Sequence, residues 1–237
     1  MMTGQRALRA GVIAAGAGER LAGAGSLKPL VRVGGRPLID RVLESIAAAG
    51  ATDVAVIINE RSLPVRDHVL VGRWPFAVRW IVQTTPSSMH SFLFVLEALV
   101  EGTDDRVLIS TVDTVAPEGA FAEFVAAARA TDADVTLALT TLVDDEHPLR
   151  VRLDEDRRVS AIGAAADGSP FVTAGYYFVH ARVLNEADAA RRDGVAALRT
   201  FFARLIERGY RIDGVPMPDS IDVDRPSDVV VAERLFQ

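Results

Sequence analysis

One lysine stands among 26 basic residues, the other 25 being arginine, and it lies in a glycine-rich stretch, GVIAAGAGERLAGAGSLKPL, from Gly11 to Leu30. Gly16, Gly18, Gly23 and Gly25 free the backbone to turn N–H groups toward an anion without interference from Cβ atoms. Arg20 and Lys28 add a planar fork and a compact, rotatable ammonium, a pair suited to clamping a triphosphate. On these residues alone, a glycine-rich connection carrying two solvated cations remains an equal reading. Further along, Asp113 closes the run RVLISTVD, and Asp222 and Asp224 stand two apart in SIDVDRPSD. In an extended segment residues two apart face the same side. Asp113 alone reads as an ordinary strand-end or helix-capping carboxylate, while two carboxylates together can serve magnesium, which shares its shell between protein, phosphate oxygens and water. They also suit helix capping, because Pro226 opens a helix immediately behind the pair.

These residues need a scaffold, and the hydrophobic pattern supplies one. Ala10 to Ala15 reads as a buried strand, and Pro37 to Ala49 as a helix with Leu38, Ile39, Val42, Leu43 and Ile46 on one face. Strands at Asp53 to Ile58 and Ala77 to Val82, a helix at Ser88 to Val100, a strand at Arg106 to Thr111, a helix from Pro117 to Ala130 and a strand at Val135 to Leu142 continue the alternation. Continuous apolar strands alternating with helices predict a parallel sheet covered on both faces. From Leu149 the strands Arg150 to Leu153, Val159 to Ile162 and Phe171 to His180 follow closely, which predicts an antiparallel extension. Helices near Ala181 to Ala190 and Val195 to Arg208, strands near Ile212 to Val215 and Ile221 to Val223, and a helix from Pro226 complete the chain, with GAAADGSP (163–170) expected as a mobile loop. The fold class is therefore α/β, a Rossmann-like three-layer α/β/α arrangement. In such sheets ligands sit beyond the carboxyl ends of the strands, where strand order reverses. The glycine stretch and Asp113 both follow strands.

Composition excludes several functions. The chain has no cysteine and only four histidines, so thiolate nucleophiles, disulfides and Cys-ligated metal sites are ruled out and oxygen-bound hard cations are favoured. A net charge of −6 disfavours a nucleic-acid partner, whose phosphates require a basic face. No apolar run approaches the roughly 18 residues of a bilayer span, and the start MMTGQRALRAGVIAAG lacks the pattern of a signal peptide, so a cytoplasmic protein with no membrane partner is expected. The dinucleotide fingerprint G-x-G-x-x-G fails at Leu21, and Glu60 lies far beyond the usual acidic position, which disfavours an NAD(P)-linked oxidoreductase.

The segments AAGAGERL and KPLVRVGGRPLID resemble the opening signature of the MobA-like and sugar-phosphate nucleotidyltransferases, a family that includes uridylyl-, thymidylyl- and guanylyltransferases. The closing SIDVDRPSDVVVAERL resembles that family's D-x-D-x-P-x-D segment. The resemblance implies a magnesium-dependent enzyme that moves a nucleoside monophosphate from a nucleoside triphosphate to a phosphorylated small-molecule acceptor, most often a sugar phosphate. It implies that Ala14, Ala15, Gly16, Gly18, Arg20 and Lys28 hold the nucleotide, and that Asp113 with Asp222 or Asp224 holds the metal. Arg20, Lys28 and Asp113 then carry the chemistry. It further implies one domain over residues 1–237, with about 1–140 binding nucleotide and about 141–237 binding acceptor.

Two regions depart from the family pattern. Gln83 stands where relatives present a glutamine to the base, but QTTPSSMHSFLF replaces their Gly-Thr pair. Ser88 there could meet the nucleotide, while Ser87 or Ser88 could equally cap the helix and His90 could equally pack within it. Thr173, Gly175 and Tyr176 in VTAGYYFV resemble the acceptor-lining stretch, although the same segment also reads as a core strand, and the Glu-Lys-Pro element that precedes it in relatives is absent. The acceptor phosphate then depends on arginine or metal, and sugar phosphate, alditol phosphate and phosphocholine all stay open. A non-catalytic nucleotide or sugar sensor on the same fold is the remaining alternative.

Overall fold

The computed structural model of the chain describes residues 7–16, 21, 27–100, 105–142 and 148–235. The first half runs β1 (Leu8–Ala14), β2 (Arg32–Val33), β3 (Arg36–Pro37), α1 (Leu38–Ala48), β4 (Ala51–Ile58), α2 (Leu63–Val71), β5 (Val78–Val82), α3 (Ser88–Val100), β6 (Arg106–Thr111), β7 (Thr114–Val115), α4 (Ala120–Arg129) and β8 (Val135–Thr140). The second half runs β9 (Arg150–Leu153), β10 (Val159–Ile162), β11 (Phe171–His180), α5 (Ala187–Arg192), α6 (Leu198–Glu207), β12 (Ile212–Pro216), β13 (Ile221–Asp222) and α7 (Pro226–Arg234).

The main sheet follows the order β10-β9-β11-β6-β1-β4-β5, with β8 pairing both β11 and β12. β1 is parallel to β4 and β6, β4 is parallel to β5, and β12 is parallel to β8, whereas β11 runs antiparallel to β6, β8 and β9. A mostly parallel sheet with an antiparallel extension is thus observed. The chain builds outward from β1 through β4 and β5, then crosses back to place β6 on the opposite side of β1. That reversal opens a crevice at the carboxyl ends of β1 and β6.

Residue type explains which face each helix covers. One face buries Ile39, Val42, Leu43 and Ile46 of α1, Val65 and Val69 of α2, and Phe121 and Phe124 of α4 against Ala10, Val12, Val54 and Val56. The other buries Phe92, Leu93, Leu96 and Leu99 of α3 with Phe201, Phe202 and Leu205 of α6 against Ile57, Ile109 and Leu137. Each buried side chain of this size contributes about 1.5–3 kcal/mol. Gly11 is the close-approach point: a Cβ there would lie 2.1 Å from Val95 Cγ1, so only glycine lets α3 seat on β1. Three layers result. A third cluster, with Leu21, Val33, Leu38, Val115, Ile221, Val223 and Ala232, ties α7 beside the β7–β13 ribbon.

Several details differ from the sequence expectation. α2, with weak amphipathic periodicity, is an additional helix. α4 begins at Ala120 rather than at Pro117, because Gly119 takes φ +85° at its N-cap. The stretch GAAADGSP is an ordered 3-10 turn, Gly163–Ala166, followed by a loop: Ala166 is fully buried and Ser169 Oγ donates to Val151 O at 2.6 Å. The segment from Ala181 is a 3-10 turn before α5 rather than one continuous helix. Among the described residues, no helix is long and apolar enough to cross a membrane.

Candidate active site

β1 delivers Ala14, Ala15 and Gly16 to the crevice, and Asn59, just past β4, fixes how they leave it. The Asn59 Nδ2 donates to Ala15 O at 3.1 Å and more weakly to Gly16 O at 3.4 Å. Its Oδ1 accepts from Arg61 N and Ser62 Oγ at 2.9 and 3.0 Å, so one amide binds the glycine stretch to the turn after β4. Gly18 and Arg20 lie outside the described residues.

Lys28 opens a 3-10 turn, Lys28–Leu30, whose Pro29 is buried and anchors it. The ammonium points inward. Its Nζ donates to Asp113 Oδ2 at 2.5 Å and also to Asp224 Oδ1. Burial works against the lysine charge, yet the two carboxylates, Asp113 foremost, outweigh it and raise its pKa above the ordinary lysine value. Burial likewise opposes ionisation of Asp113, but the charge and hydrogen bond of Lys28, helped by Thr111, hold that carboxyl below its usual range. Lys28 and Asp113 are therefore both charged at neutral pH.

The C-terminal carboxylates reach the same place through a two-stranded ribbon. β13 pairs antiparallel with β7, placing Asp222 opposite Thr114, and Val223 N donates to Asp113 O at 3.0 Å. Thr114 Oγ1 donates to Asp222 Oδ1 at 2.5 Å and exchanges a 2.8 Å hydrogen bond with Thr111. Asp222 opens onto the cleft. Loss of water on its protein-facing side, together with the charge of Asp113, nevertheless pushes its carboxyl up to about 7, against the pull of the Thr114 hydroxyl. Asp228 does the capping: its Oδ2 accepts from Asp224 N at 2.8 Å and Arg225 N at 2.7 Å. Because Asp228 is the cap, Asp222 and Asp224 keep their carboxylates for the cleft.

A divalent cation fits this donor set. Two carboxylates that repel one another, Asp113 and Asp222, are relieved by a hard ion between them. Among the described residues no group of three His, Asp or Glu is placed to hold a metal, so further coordination falls to phosphate and water, as magnesium commonly accepts.

Beside the carboxylates lies a cleft of about 260 Å³, lined in part by Ser88, Thr140, Thr173, Tyr177, Arg199 and Ser220, with Asp222 and Asp224 at its edge. Ser88 lines it but is already engaged, since its Oγ accepts from Leu198 N at 3.2 Å and links the starts of α3 and α6. Ser87 caps α3 by accepting from His90 N and pairing with His90 Nδ1 at 2.8 Å. Gln83 is exposed past β5, with its N–H on Ile58 O, and lies outside the lining of this cleft.

The β11 candidates divide. Thr173 faces the cleft, whereas Tyr176 sits on the opposite face of the sheet, edge-on to Phe121 at 4.7 Å, and borders a separate cavity against α1 and α4. Period-two alternation separates positions 173 and 176, and that signal was available in the sequence. Tyr177 is the aromatic residue that faces the cleft. Gly175 adopts φ +68° and turns toward the ribbon: a Cβ would lie 1.9 Å from Thr114 Oγ1 and 2.6 Å from Thr111 Oγ1. Its role is close approach to the threonines that hold Asp222, rather than to an acceptor. Asn59, Thr114 and Arg199 border the candidate site outside every quoted motif and become visible only once the chain is folded, whereas Asp228 is the last acid of the D-x-D-x-P-x-D segment and Ser220 opens the same stretch.

Known proteins resemble this chain in sequence and in fold. The model of the MobA-like NTP transferase domain matches residues 10–207. The bifunctional protein GlmU of Pelobacter propionicus is 32% identical over 161 residues, covering 67% of this chain and 34% of that protein. The mannose-1-phosphate guanyltransferase of Emericella nidulans is 25% identical over 232 residues, covering 88% and 58% respectively. The chain thus spans less than two thirds of the length of each of these relatives. Among solved structures, the inositol-1-phosphate CTP transferase from T. maritima superposes with a TM-score of 0.81 at 19% identity, covering 98% of this chain and 96% of that one, a likeness of fold.

Proposed function

The chain belongs to the MobA-like NTP transferase family, and on that premise we propose that it transfers a nucleoside monophosphate from a nucleoside triphosphate to a sugar phosphate, releasing pyrophosphate. The observation that carries the reading is the meeting of Lys28, Asp113 and the Asp222–Asp224 segment, from three distant parts of the chain, at one point beside the cleft. In this reading residues up to about 140 hold the nucleotide and the remainder, within the same single domain, receive the acceptor.

Each residue then takes a role. Ala14, Ala15 and Gly16, with Gly18 and Arg20 beyond them, cradle the triphosphate. Asp113 and Asp222 hold magnesium, the pair whose repulsion calls for it, while Asp224 serves Lys28. Magnesium, when bound, supplies positive charge and Lewis acidity at the nucleotide phosphates. Lys28 is a compact charge already buried between carboxylates, able to turn onto phosphate oxygens as negative charge builds on the departing pyrophosphate. An acceptor phosphate oxygen attacks the α-phosphorus, the bond from the α-phosphorus to its bridging oxygen breaks, and pyrophosphate leaves. No protein nucleophile or base is required, because a phosphate monoester is already anionic at neutral pH; positioning and electrostatics carry the rate.

Pyrophosphate release from ATP, CTP, GTP, UTP and dTTP, each with magnesium and a panel of sugar 1-phosphates, an alditol phosphate and phosphocholine, tests the reading. One nucleotide–acceptor pair should turn over, the activity should vanish with EDTA, and Lys28→Ala should reduce it by at least two orders of magnitude. A wild-type rate in Lys28→Ala would remove the lysine from the chemistry.

A further inference from the structure

One polar group in the cleft has no use in the fold or in the chemistry above. Ser220 is 2% exposed, and its Oγ is buried without a hydrogen-bond partner among the described residues. An unpaired buried hydroxyl carries a desolvation penalty with nothing to offset it, which is why such groups are rare. Ser220 lies two residues before Asp222 at the entry to β13, so in extended chain the two side chains project to the same side. Both line the cleft. The polar groups around it are of matching kind: Thr140 Oγ1 accepts from Leu142 N at 3.1 Å and retains its own hydrogen to donate, and Thr173 stands across on β11. Arg199, at the exposed start of α6, is a cation on the same wall. A quaternary ammonium would need an aromatic cage, and among the described residues Tyr177 is the one aromatic residue in this lining.

We infer that Ser220 is an acceptor-specificity residue: its hydroxyl completes its hydrogen bonding on a hydroxyl group of a polyol phosphate bound in this cleft. This rests on the nucleotidyl-transfer reading and adds to it the group that reads the acceptor body. Arg199 serves the acceptor phosphate, a contact shared by every phosphorylated acceptor, whereas Ser220 contributes only where an acceptor hydroxyl meets it.

The test compares wild type, Ser220→Ala and Arg199→Ala on whichever of glucose 1-phosphate, mannose 1-phosphate and inositol 1-phosphate turns over best, together with its monodeoxy analogues. Ser220→Ala should raise the acceptor KM about tenfold, a typical effect of one lost hydrogen bond, and leave the nucleotide KM unchanged. The wild type should discriminate against one monodeoxy analogue by a similar factor, and Ser220→Ala should treat that analogue and its parent alike. Arg199→Ala should raise the KM of parent and analogues equally. Removing an unpaired hydroxyl should leave Tm unchanged or raise it. An unaltered acceptor KM in Ser220→Ala with an active wild type overturns the inference alone. A lowered Tm with unaltered acceptor KM does the same, assigning Ser220 to a buried structural water. A wild type with no turnover on any pair brings down the transferase reading and the inference together.

Discussion

Replacing Gly175 by alanine concentrates two costs at one point behind the carboxylates. The backbone there has φ +68°, where a side chain costs about 1–2 kcal/mol. The new Cβ would sit 1.9 Å from Thr114 Oγ1, and overpacking of this kind costs about 1–3 kcal/mol more. The sum is about 2–5 kcal/mol, and for a chain of this length each kcal/mol corresponds to about 2–4 °C, so Tm should fall by about 4–20 °C. The clash also forces Thr114 to move, and Thr114 holds Asp222 by a 2.5 Å hydrogen bond. A displacement of about 1 Å in a positioning group can cost about 100-fold in rate. Urea unfolding of wild type, Gly175→Ala, Thr114→Ala and the double variant separates the two costs. Alanine at 114 removes the nearer of the two clashing atoms, so the double variant should be at least about 1 kcal/mol more stable than the sum of the single effects, while the backbone cost and the 2.6 Å approach to Thr111 Oγ1 persist. Additive effects, or a Gly175→Ala protein as stable as wild type, would refute the close-packing account of this glycine.

Three further predictions follow from neighbouring contacts. Asn59→Asp keeps the acceptor that serves Arg61 N and Ser62 Oγ but sets a carboxylate oxygen against the Ala15 and Gly16 carbonyls, so it should raise the nucleotide KM and lower Tm; steady-state kinetics beside thermal unfolding would show both, and a wild-type Tm would contradict the contact. Asp228→Ala strips two backbone N–H groups of a buried carboxylate and should cost about 2–4 kcal/mol by urea denaturation, with loss of turnover because Asp224 is no longer held; Asp228→Asn, which retains an acceptor, should cost less. The Asp222 carboxyl titrates near 7 in the folded protein against about 3.8 unfolded, so its protonated form favours folding. That contribution is complete below about pH 3.8 and is lost as pH rises through 7. In EDTA, Tm should therefore fall across pH 5.5 to 8 more steeply in wild type than in Asp222→Asn, and magnesium should restore more of it at pH 8 than at pH 6. Parallel Tm profiles for the two proteins would contradict that shift.

Much of this architecture is written in local pattern. The apolar face of Leu38, Ile39, Val42, Leu43 and Ile46 and the β-rich runs around Val54 and Ile109 announce their elements, because burial demands those periods. Lys28 is conspicuous as a lone ammonium after glycines, whereas Asp113 is singled out by family resemblance, a strand-end carboxylate being ordinary by itself. Asn59, Thr114 and Ser220 could not be singled out. Asn59 matters only because β4 lies parallel to β1, and Thr114 only because β13 returns beside β7. The choice of Asp228 rather than Asp222 or Asp224 as the helix cap depends on which side chain the turn before α7 can reach. Tyr176 and Tyr177 differ by one position and therefore by one whole face of the sheet, a distinction that motif likeness blurs and strand parity resolves.

The ribbon joining Thr114 to Asp222 closes a span of 108 residues with only two paired positions. Until Ile221 and Asp222 pair with Val115 and Thr114, one of the two proposed divalent-ion ligands is out of place. On the proposed transfer chemistry, a nascent segment that stops short of this ribbon would have one carboxylate with which to hold the ion, where the folded protein offers two.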